Sequence, residues 1–297
     1  EEADPHSYRP ISLMNFDLVL LSRWLLAEIH PHLTTWIPDT QQGFMPERWT
    51  INNIRYAQDL RTALHSAPFC AALDINSQGA LLGFLDFRKA FDSCRWEAIK
   101  KAVGALQPPS PILEFWITRL YQPHSSFLLG SDLSFEVSQG VKQGAPLSPI
   151  LFNIFLQSLQ HFLIQQDIPL YVPVRDDPGS LPSLIKYADD VFLFSLLGTG
   201  LRILQATARW SDSSGVHLQP SKCSIFHHDP RGNQGDSIAA LEELGFDTHK
   251  LGTVEANIKD KYLGIFLHPN SGQQLQLWSA DLQARCAKTL RSLGGLH

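Results

Sequence analysis

With 297 residues, 44% hydrophobic and 18% charged, the chain can bury one large core or two modest ones, which excludes a disordered protein. Its formal net charge of −5 weighs against a nucleic-acid partner, because binding phosphate normally shows as a basic excess. Uncharged apolar runs such as Val191 to Leu197 fall short of the ~18 residues of a membrane span, and no signal peptide opens the chain, so a soluble intracellular protein without a membrane partner is expected. Cys70, Cys94, Cys223 and Cys286 are far apart and show no paired metal-ligand spacing, so isolated reduced thiols are expected. The start at Glu1 and the end at Gly294-Gly295-Leu296-His297 suggest a segment of something longer.

In chain order, Tyr8-Arg9-Pro10 biases Arg9 toward an extended backbone, because the residue before proline disfavours the helical region. Phe16 to Ile29 carries Leu18, Leu21, Leu25, Leu26 and Ile29 at helical spacing, and Pro31 ends that helix. Gln41-Gln42-Gly43-Phe44-Met45-Pro46-Glu47-Arg48 reads as a loop ahead of a helix from about Thr50 to Leu64. Arg48 on that loop is a candidate to grip phosphate, or else a surface arginine paired with Glu47 or another nearby acid.

Leu81-Leu82-Gly83-Phe84-Leu85-Asp86-Phe87 is a near-continuous apolar strand that ends in a carboxylate. A lone carboxylate in such a run is costly unless it is paired or metal-bound, which makes Asp86 a candidate ligand. Helices over Trp96 to Leu106 and Ile112 to Tyr121 flank a proline cluster and read as scaffold. Ser138 to Pro149 is a Gly-rich run into a helix, Ile150 to about Gln165, with Ser148 as the expected N-cap and Pro149 in the first turn. Backbone there can approach an anionic ligand ahead of a helix N-terminus. Leu151, Ile154, Phe155, Leu159 and Phe162 give that helix its apolar face.

Asp176 and Asp177 fall in a polar loop and read as a solvated turn. Next, Lys186-Tyr187-Ala188-Asp189-Asp190-Val191-Phe192 sets two adjacent carboxylates between apolar runs, a β-hairpin whose turn carries Asp189 and Asp190. Adjacent carboxylates repel, so such a turn either leaves them in water or gives them a cation. Mg²⁺ takes one or two carboxylates plus substrate phosphates, the chemistry of nucleotidyl transfer by two ions about 3.5 to 4 Å apart. Beyond the hairpin, Gly200 to Asp212 is helical with Leu201, Leu204 and Ala208 inward, and Lys222 is a lone basic group near a turn. Residues 228 to 237 read as a flexible insertion, Lys261 to Leu267 as a strand, and Leu275 to Leu293 as a final amphipathic helix.

Taken in order, Tyr-Arg-Pro-Ile-Ser-Leu, Gln-Gln-Gly-Phe, Leu-Asp-Phe-Arg-Lys-Ala-Phe-Asp, Gln-Gly-Ala-Pro-Leu-Ser-Pro-Ile-Leu-Phe-Asn, Tyr-Ala-Asp-Asp and Lys-Tyr-Leu-Gly resemble the reverse transcriptase domain of non-LTR (LINE-type) retrotransposons. The resemblance runs from residue 8 to residue 264. It implies an α+β right-hand polymerase fold whose palm is an antiparallel sheet backed by helices. Residues 1–80 are then fingers, 81–268 palm (about 100–135 partly fingers or connection), and 269–297 the start of a truncated thumb.

The resemblance also implies roles. Asp86, Asp189 and Asp190 match the family's carboxylates for two Mg²⁺ ions, with Mn²⁺ as a substitute. Lys222 matches a lysine that protonates leaving pyrophosphate, although Gln219 stands where an asparagine is common. Arg9 matches a triphosphate contact, and Phe91 an aromatic gate against the 2′-hydroxyl, with a buried core Phe as the other reading. Gln143 and Gly144 match the turn against the template and nascent pair, and Tyr262, Leu263 and Gly264 the hairpin under the primer end. The implied partners are an RNA template, a DNA primer or nicked target DNA, and dNTPs, in a ribonucleoprotein of the eukaryotic nucleus and cytoplasm.

Departures are Val19 where many relatives carry lysine, Ala145 in place of cysteine, and the acidic charge. Other readings stay open: a retron or group II intron type of enzyme, an RNA-templated RNA polymerase, or a catalytically decayed relic that only binds nucleic acid or protein.

Overall fold

A computed structural model describes residues 12–128, 130, 132–228, 230, 234–250, 261–263 and 265–266. Arg9, Gly264 and the segment expected to begin a thumb, with its helix Leu275 to Leu293, lie outside the described residues.

Helix α1 (Phe16–Ile29) forms where its apolar spacing placed it, with Leu25 and Ile29 buried. Pro31 does not end the helical path outright. It is accommodated in a single 3-10 turn, His30–His32, and α2 (Leu33–Trp36) follows. Helices α3 (Thr50–Ala63), α4 (Ala67–Ala72) and α5 (Ile75–Gln78) lead into strand β1 (Ala80–Leu85). After β1 come α6 (Ala90–Ser93), α7 (Trp96–Gly104) and α8 (Pro111–Leu120), the last two separated by the proline cluster. A hairpin that no local signal announced, β2 (His124–Phe127) with β3 (Ser134–Val137), precedes the long α9 (Ser148–Gln165).

Strands β4 (Tyr171–Pro173) and β5 (Ser180–Pro182) pair around the Asp176-Asp177 loop, which is exposed as expected. Then follow β6 (Leu184–Tyr187), β7 (Asp190–Leu196), α10 (Leu197–Ser214), β8 (Ser224–His228), α11 (Gln234–Glu243), β9 (Thr248–Lys250) and the pair β10 (Lys261–Tyr262) and β11 (Ile265–Phe266).

The central sheet has the order β6-β7-β1-β8-β9, antiparallel except for β8 with β9. The chain is therefore an α+β protein. Side chains alternate between the two sheet faces, and both faces are covered, so the strands read as unbroken apolar runs. Leu81, Leu85, Val191, Leu193 and Ile225 enter one core with α7, α9 and α10. Ala80, Leu82, Phe84, Phe192, Phe194 and Phe226 enter the other with α3 and Tyr262. Each buried aromatic or leucine contributes about 1.5–3 kcal/mol over leaving it exposed, so the two layers fix the sheet firmly.

Several expectations are corrected. Helix α9 has more than one apolar face: Ile150 to Gln157 is buried all round, because the helix runs through the core. Ser148 is not its N-cap. Its Oγ donates to the Lys142 carbonyl at 2.8 Å, Leu147 occupies the cap position, and the loop gains the hydrogen bond the cap would have had. Helix α10 turns Ile203, Leu204, Ala206 and Trp210 inward, while Leu201 and Ala208 are only half-buried. The expected insertion 228–237 gives way to a helix at Gln234, and the expected strand at 261–267 is the β10–β11 pair turning at Leu263. Among the described residues no helix is long and apolar enough to cross a membrane.

Candidate nucleotidyl-transfer site

The β6–β7 hairpin closes with Tyr187 paired to Asp190, so the turn proper is Ala188-Asp189 and Asp190 is the first residue of β7. The expectation that both acids sit in the turn is corrected by one position. A two-residue hairpin turn needs a left-handed residue, and Ala188 supplies it at φ 54°. That conformation costs a residue with a Cβ about 1–2 kcal/mol, so surrounding contacts must hold it there.

Strand β1 pairs with β7 up to Leu85 opposite Val191. Carried one residue further, the register brings Asp86 level with Asp190. Strand alternation then puts both on the face that carries Phe84 and Phe192. Tyr262 packs on that face, its ring 5.5 Å from Phe84 and 5.8 Å from Phe192, and its hydroxyl accepts from Asn53 Nδ2 at 3.1 Å. Burial raises the Tyr262 pKa, and the Asp190 charge adds to the rise. Leu263 turns the chain beside it at φ 50°.

The backbone of Asp86 is fastened on both sides. Its N–H donates to Cys223 Sγ at 3.3 Å, and its carbonyl accepts from Gln219 N–H at 2.8 Å. Burial pushes the Asp86 carboxyl above its ordinary range, and the nearby Lys222 ammonium partly counters this. Lys222 itself is exposed on the 3-10 turn Pro220–Lys222. Cys223 is buried, and burial pushes its thiol up to about 11, so it serves as packing and acceptor rather than as a nucleophile. Cys70 and Cys94 are also free thiols.

Among the described residues no three His, Cys, Asp or Glu side chains form a ready-made metal cage. The donor set still fits a hard divalent cation: carboxylate oxygens only, one of them on a carboxyl that burial pushes up and Lys222 only partly counters. Such an ion takes one or two protein carboxylates and completes its shell with water and substrate phosphate.

Next to Tyr187, which pairs with Asp190 in the hairpin, lies an aromatic corner. Phe91 stacks on Phe152 with ring centroids 4.3 Å apart and meets the edge of Phe44 at 6.4 Å, while Phe44 meets Tyr187 at 6.3 Å. Phe91 is half-buried, with one ring face stacked on Phe152. Gln143 Nε2 donates to Asp92 Oδ1 at 2.6 Å, and Val141 N–H donates to the Phe91 carbonyl at 2.7 Å, so the Gly-rich loop and the segment after β1 form one unit. Gly144 sits at φ 106°, where a side chain would be strained. The structure thus brings Phe91, Gln143 and Gly144 together.

Arg48 is placed otherwise. Its guanidinium donates to the carbonyls of Pro38, Gln41 and Ile37 at 2.7, 2.8 and 2.9 Å and pairs with Asp39 at 3.1 Å. Only 9% of the side chain is exposed, so it braces its own loop, and its acidic partner is Asp39 rather than Glu47.

Four polar residues around the hairpin escaped the sequence reading. Gln41 Oε1 accepts from Gly43 N–H at 3.0 Å and Ala188 N–H at 2.9 Å, and its Nε2 donates to the Ala188 carbonyl at 3.3 Å. Asn153 Nδ2 donates to the Gly43 carbonyl at 2.7 Å. Lys186 is fully buried, with Gln157 Oε1 3.4 Å from its Nζ. The available signal was a lysine inside an otherwise apolar strand and an Asn and Gln inside an apolar helix, each too polar for its surroundings without a partner.

A family model described as "Reverse transcriptase (RNA-dependent DNA polymerase)" matches residues 1–267. The chain is 26% identical over 267 residues to the "Retrovirus-related Pol polyprotein from type-2 retrotransposable element R2DM" of Drosophila melanogaster, a match covering 88% of this chain and 23% of that protein. It is 25% identical over 301 residues to the Pol polyprotein from type-1 retrotransposable element R2 of Nasonia vitripennis, covering 97% of this chain and 27% of the relative. The chain thus spans about a quarter of the length of these curated relatives. Among solved structures, an apo telomerase from Candida tropicalis, truncated from its C-terminal domain, aligns over 71% of this chain and 41% of its own, with 12% identity and a TM-score of 0.47. On the family match, which takes in the carboxylates, the Gly-rich loop and the Lys-Tyr-Leu-Gly hairpin alike, this chain belongs to the reverse transcriptase family.

Proposed function

We propose that the chain is an RNA-directed DNA polymerase domain that extends a primer 3′-hydroxyl with dNTPs on an RNA template, in retrotransposition. The observation that carries this reading is the register that pairs β1 with β7 up to Leu85 opposite Val191, so that Asp86 and Asp190 are the next residues at the same end of the two strands, beside the Asp189 turn, with the half-buried Asp86 carboxyl pushed up by burial. Asp86, Asp189 and Asp190 would hold two Mg²⁺ ions, or Mn²⁺ in their place. Bound there, the ions lower the pKa of the primer hydroxyl and neutralise the triphosphate.

The protein's own groups position and neutralise around that centre. Lys222, exposed near Asp86, gives a proton to leaving pyrophosphate in this reading. The Phe91 ring lies under the incoming sugar and crowds a 2′-hydroxyl. Gln143 and Gly144 lie against the nascent pair, and Tyr262 and Leu263 support the primer end. Arg9 and Gly264 are assigned with them from the family motifs alone. Residues 1–80 act as fingers and 81–268 as palm, with about 100–135 partly fingers or connection, and 269–297 begin a thumb. The partners are an RNA template and a DNA primer or nicked target.

Primer extension on an RNA template with dNTP and Mg²⁺ tests this reading. The wild-type chain should extend the primer, exclude NTPs, and lose on the order of 10³-fold or more in rate on Asp189→Ala. Folded wild-type protein that binds primer–template and never extends it would leave the binding-only relic as the correct account.

A further inference from the structure

Gln41 is fully buried, and among the described residues its side-chain hydrogen bonds, three in number, go to backbone of its own loop or of Ala188. Its amide reads both the N–H and the carbonyl of Ala188, as a neighbouring strand would. Ala188 is the left-handed residue of the hairpin, and the next residue is Asp189. The grip itself cannot drift. Lys186 N–H donates to the Thr40 carbonyl at 2.6 Å, and Gln42 N–H donates to the Lys186 carbonyl at 2.8 Å, so residues 40–42 run along the open edge of β6. Arg48 holds the Gln41 carbonyl at 2.8 Å and Asn153 holds that of Gly43 at 2.7 Å.

A carboxylate on a two-residue turn points where the preceding residue's dihedrals send it. An Ala released from the left-handed region relaxes toward right-handed or extended backbone, and the following side chain swings with it. A displacement of 1 Å at a reacting centre can cost about 10²-fold in rate.

We propose that Gln41 is the positioning residue of the site: by fixing Ala188 in its left-handed conformation, its amide aims the Asp189 carboxylate at the metal position. This rests on the polymerase reading above. It assigns the Gln-Gln-Gly-Phe loop a role in setting the geometry of a carboxylate that stands 148 positions later in the chain.

The test uses the whole chain with Gln41→Met, which keeps the side-chain length and removes every hydrogen bond, and the double variant with Ala188→Gly. Two readouts are taken. One is kcat with its Mg²⁺ dependence. The other is Mn²⁺ affinity, by electron paramagnetic resonance of free Mn²⁺, in a complex with dNTP and a 3′-deoxy primer on RNA, where no turnover occurs. Gln41→Met should lower kcat by about 10- to 100-fold, raise the Mg²⁺ needed for half-maximal rate, and weaken Mn²⁺ binding several-fold, while the dNTP KM and primer–template Kd stay within about twofold. Ala188→Gly should restore much of both in the double variant, because glycine takes the left-handed conformation without help.

If Gln41→Met does not fold, Gln41→Asn draws the amide back by one methylene and carries the same expectation. Unchanged Mn²⁺ affinity in a folded variant, or loss that Ala188→Gly leaves unrelieved, overturns the proposal and makes Gln41 a general packing residue. A wild-type chain that binds Mn²⁺ and never extends primer fails the polymerase reading instead, and the Mn²⁺ arm still decides Gln41.

Discussion

The β6–β7 hairpin is held in opposite ways on its two flanks. Along β6, residues 40–43 meet it with backbone bonds at Lys186 and with the Gln41 amide at Ala188, and Asn153 and Gln157 of α9 reach in behind. Along β1, pairing ends at Leu85, and Asp86 emerges with its backbone fixed and its carboxyl countered only in part by Lys222. One flank is support, and under the proposed function the other is where metal and substrate bind. A charged site needs this asymmetry, because side chains hold a productive geometry only when the shell behind them is locked.

Gly43→Ala should break the support flank most severely. A Cβ there would run into the Ala188 nitrogen and the Tyr187 carbonyl carbon, which are backbone and cannot rotate away. Gly43 is not among the residues with positive φ, so the effect is one of space alone. Overpacking of this kind costs about 1–3 kcal/mol, and a backbone clash belongs at or above the top of that range. Denaturant unfolding should show that loss together with impaired primer extension. Wild-type stability in the alanine variant would mean the loop and hairpin do not approach so closely.

Lys186→Met removes a weakness from the same flank. Burial pulls the Lys186 pKa down to about 7, and among the described residues its amine is within hydrogen-bond reach of Gln157 Oε1, at 3.4 Å. In the unfolded chain the pKa is about 10.4. Between these values the unfolded chain holds a proton that the folded one has released, so stability rises as pH goes from about 7 to about 10 and is flat below. Methionine keeps the apolar stem and should add on the order of 2 kcal/mol at pH 7, with the rise toward pH 10 abolished. Urea titrations at pH 7 and 9.5 measure both; a less stable methionine variant would show that the amine is a needed structural donor.

How far the sequence carried differs between these flanks. The β1 flank was legible in part: a charge in an apolar run is costly, and that cost marks Asp86, while the same physics leaves Asp189 and Asp190 either in water or on a cation, and only the ordered family motifs join them to Asp86. The extent of α1, Phe16–Ile29, was legible for a related reason, since its apolar spacing is local. The support flank was opaque, because Gln41 beside a glycine reads as loop, and its partner Ala188 is 147 residues away. Local signals also misled: the Pro, Gly and Asn run near residue 230 hid the start of α11, and Ser148 had the right chemistry for a cap but found the Lys142 carbonyl first. Arg48 reads in sequence either as a phosphate grip or as an arginine paired with a nearby acid; the Asp39 pair bears out the second, and the loop carbonyls folded around the guanidinium are what the sequence did not show.

Asp86→Asn sharpens the other flank, with the smallest effect on stability and a decisive one on chemistry. Because the folded pKa of Asp86 lies above its unfolded value, the folded chain binds the proton more tightly, and stability falls as pH rises through that window. At neutral pH the native state therefore carries a carboxylate that its burial disfavours. An isosteric amide should raise metal-free stability, by about 1 kcal/mol or less, because the group is only half-buried and Lys222 loses an attraction. Adding Mg²⁺ with primer–template and dNTP should then raise the melting temperature of the wild-type chain and not of the variant, since only a ligand that binds the folded site stabilises it. If the asparagine chain is less stable without metal, Asp86 and Lys222 form a structural ion pair. The carboxyl would then lack the shortage of positive charge that makes it a ligand.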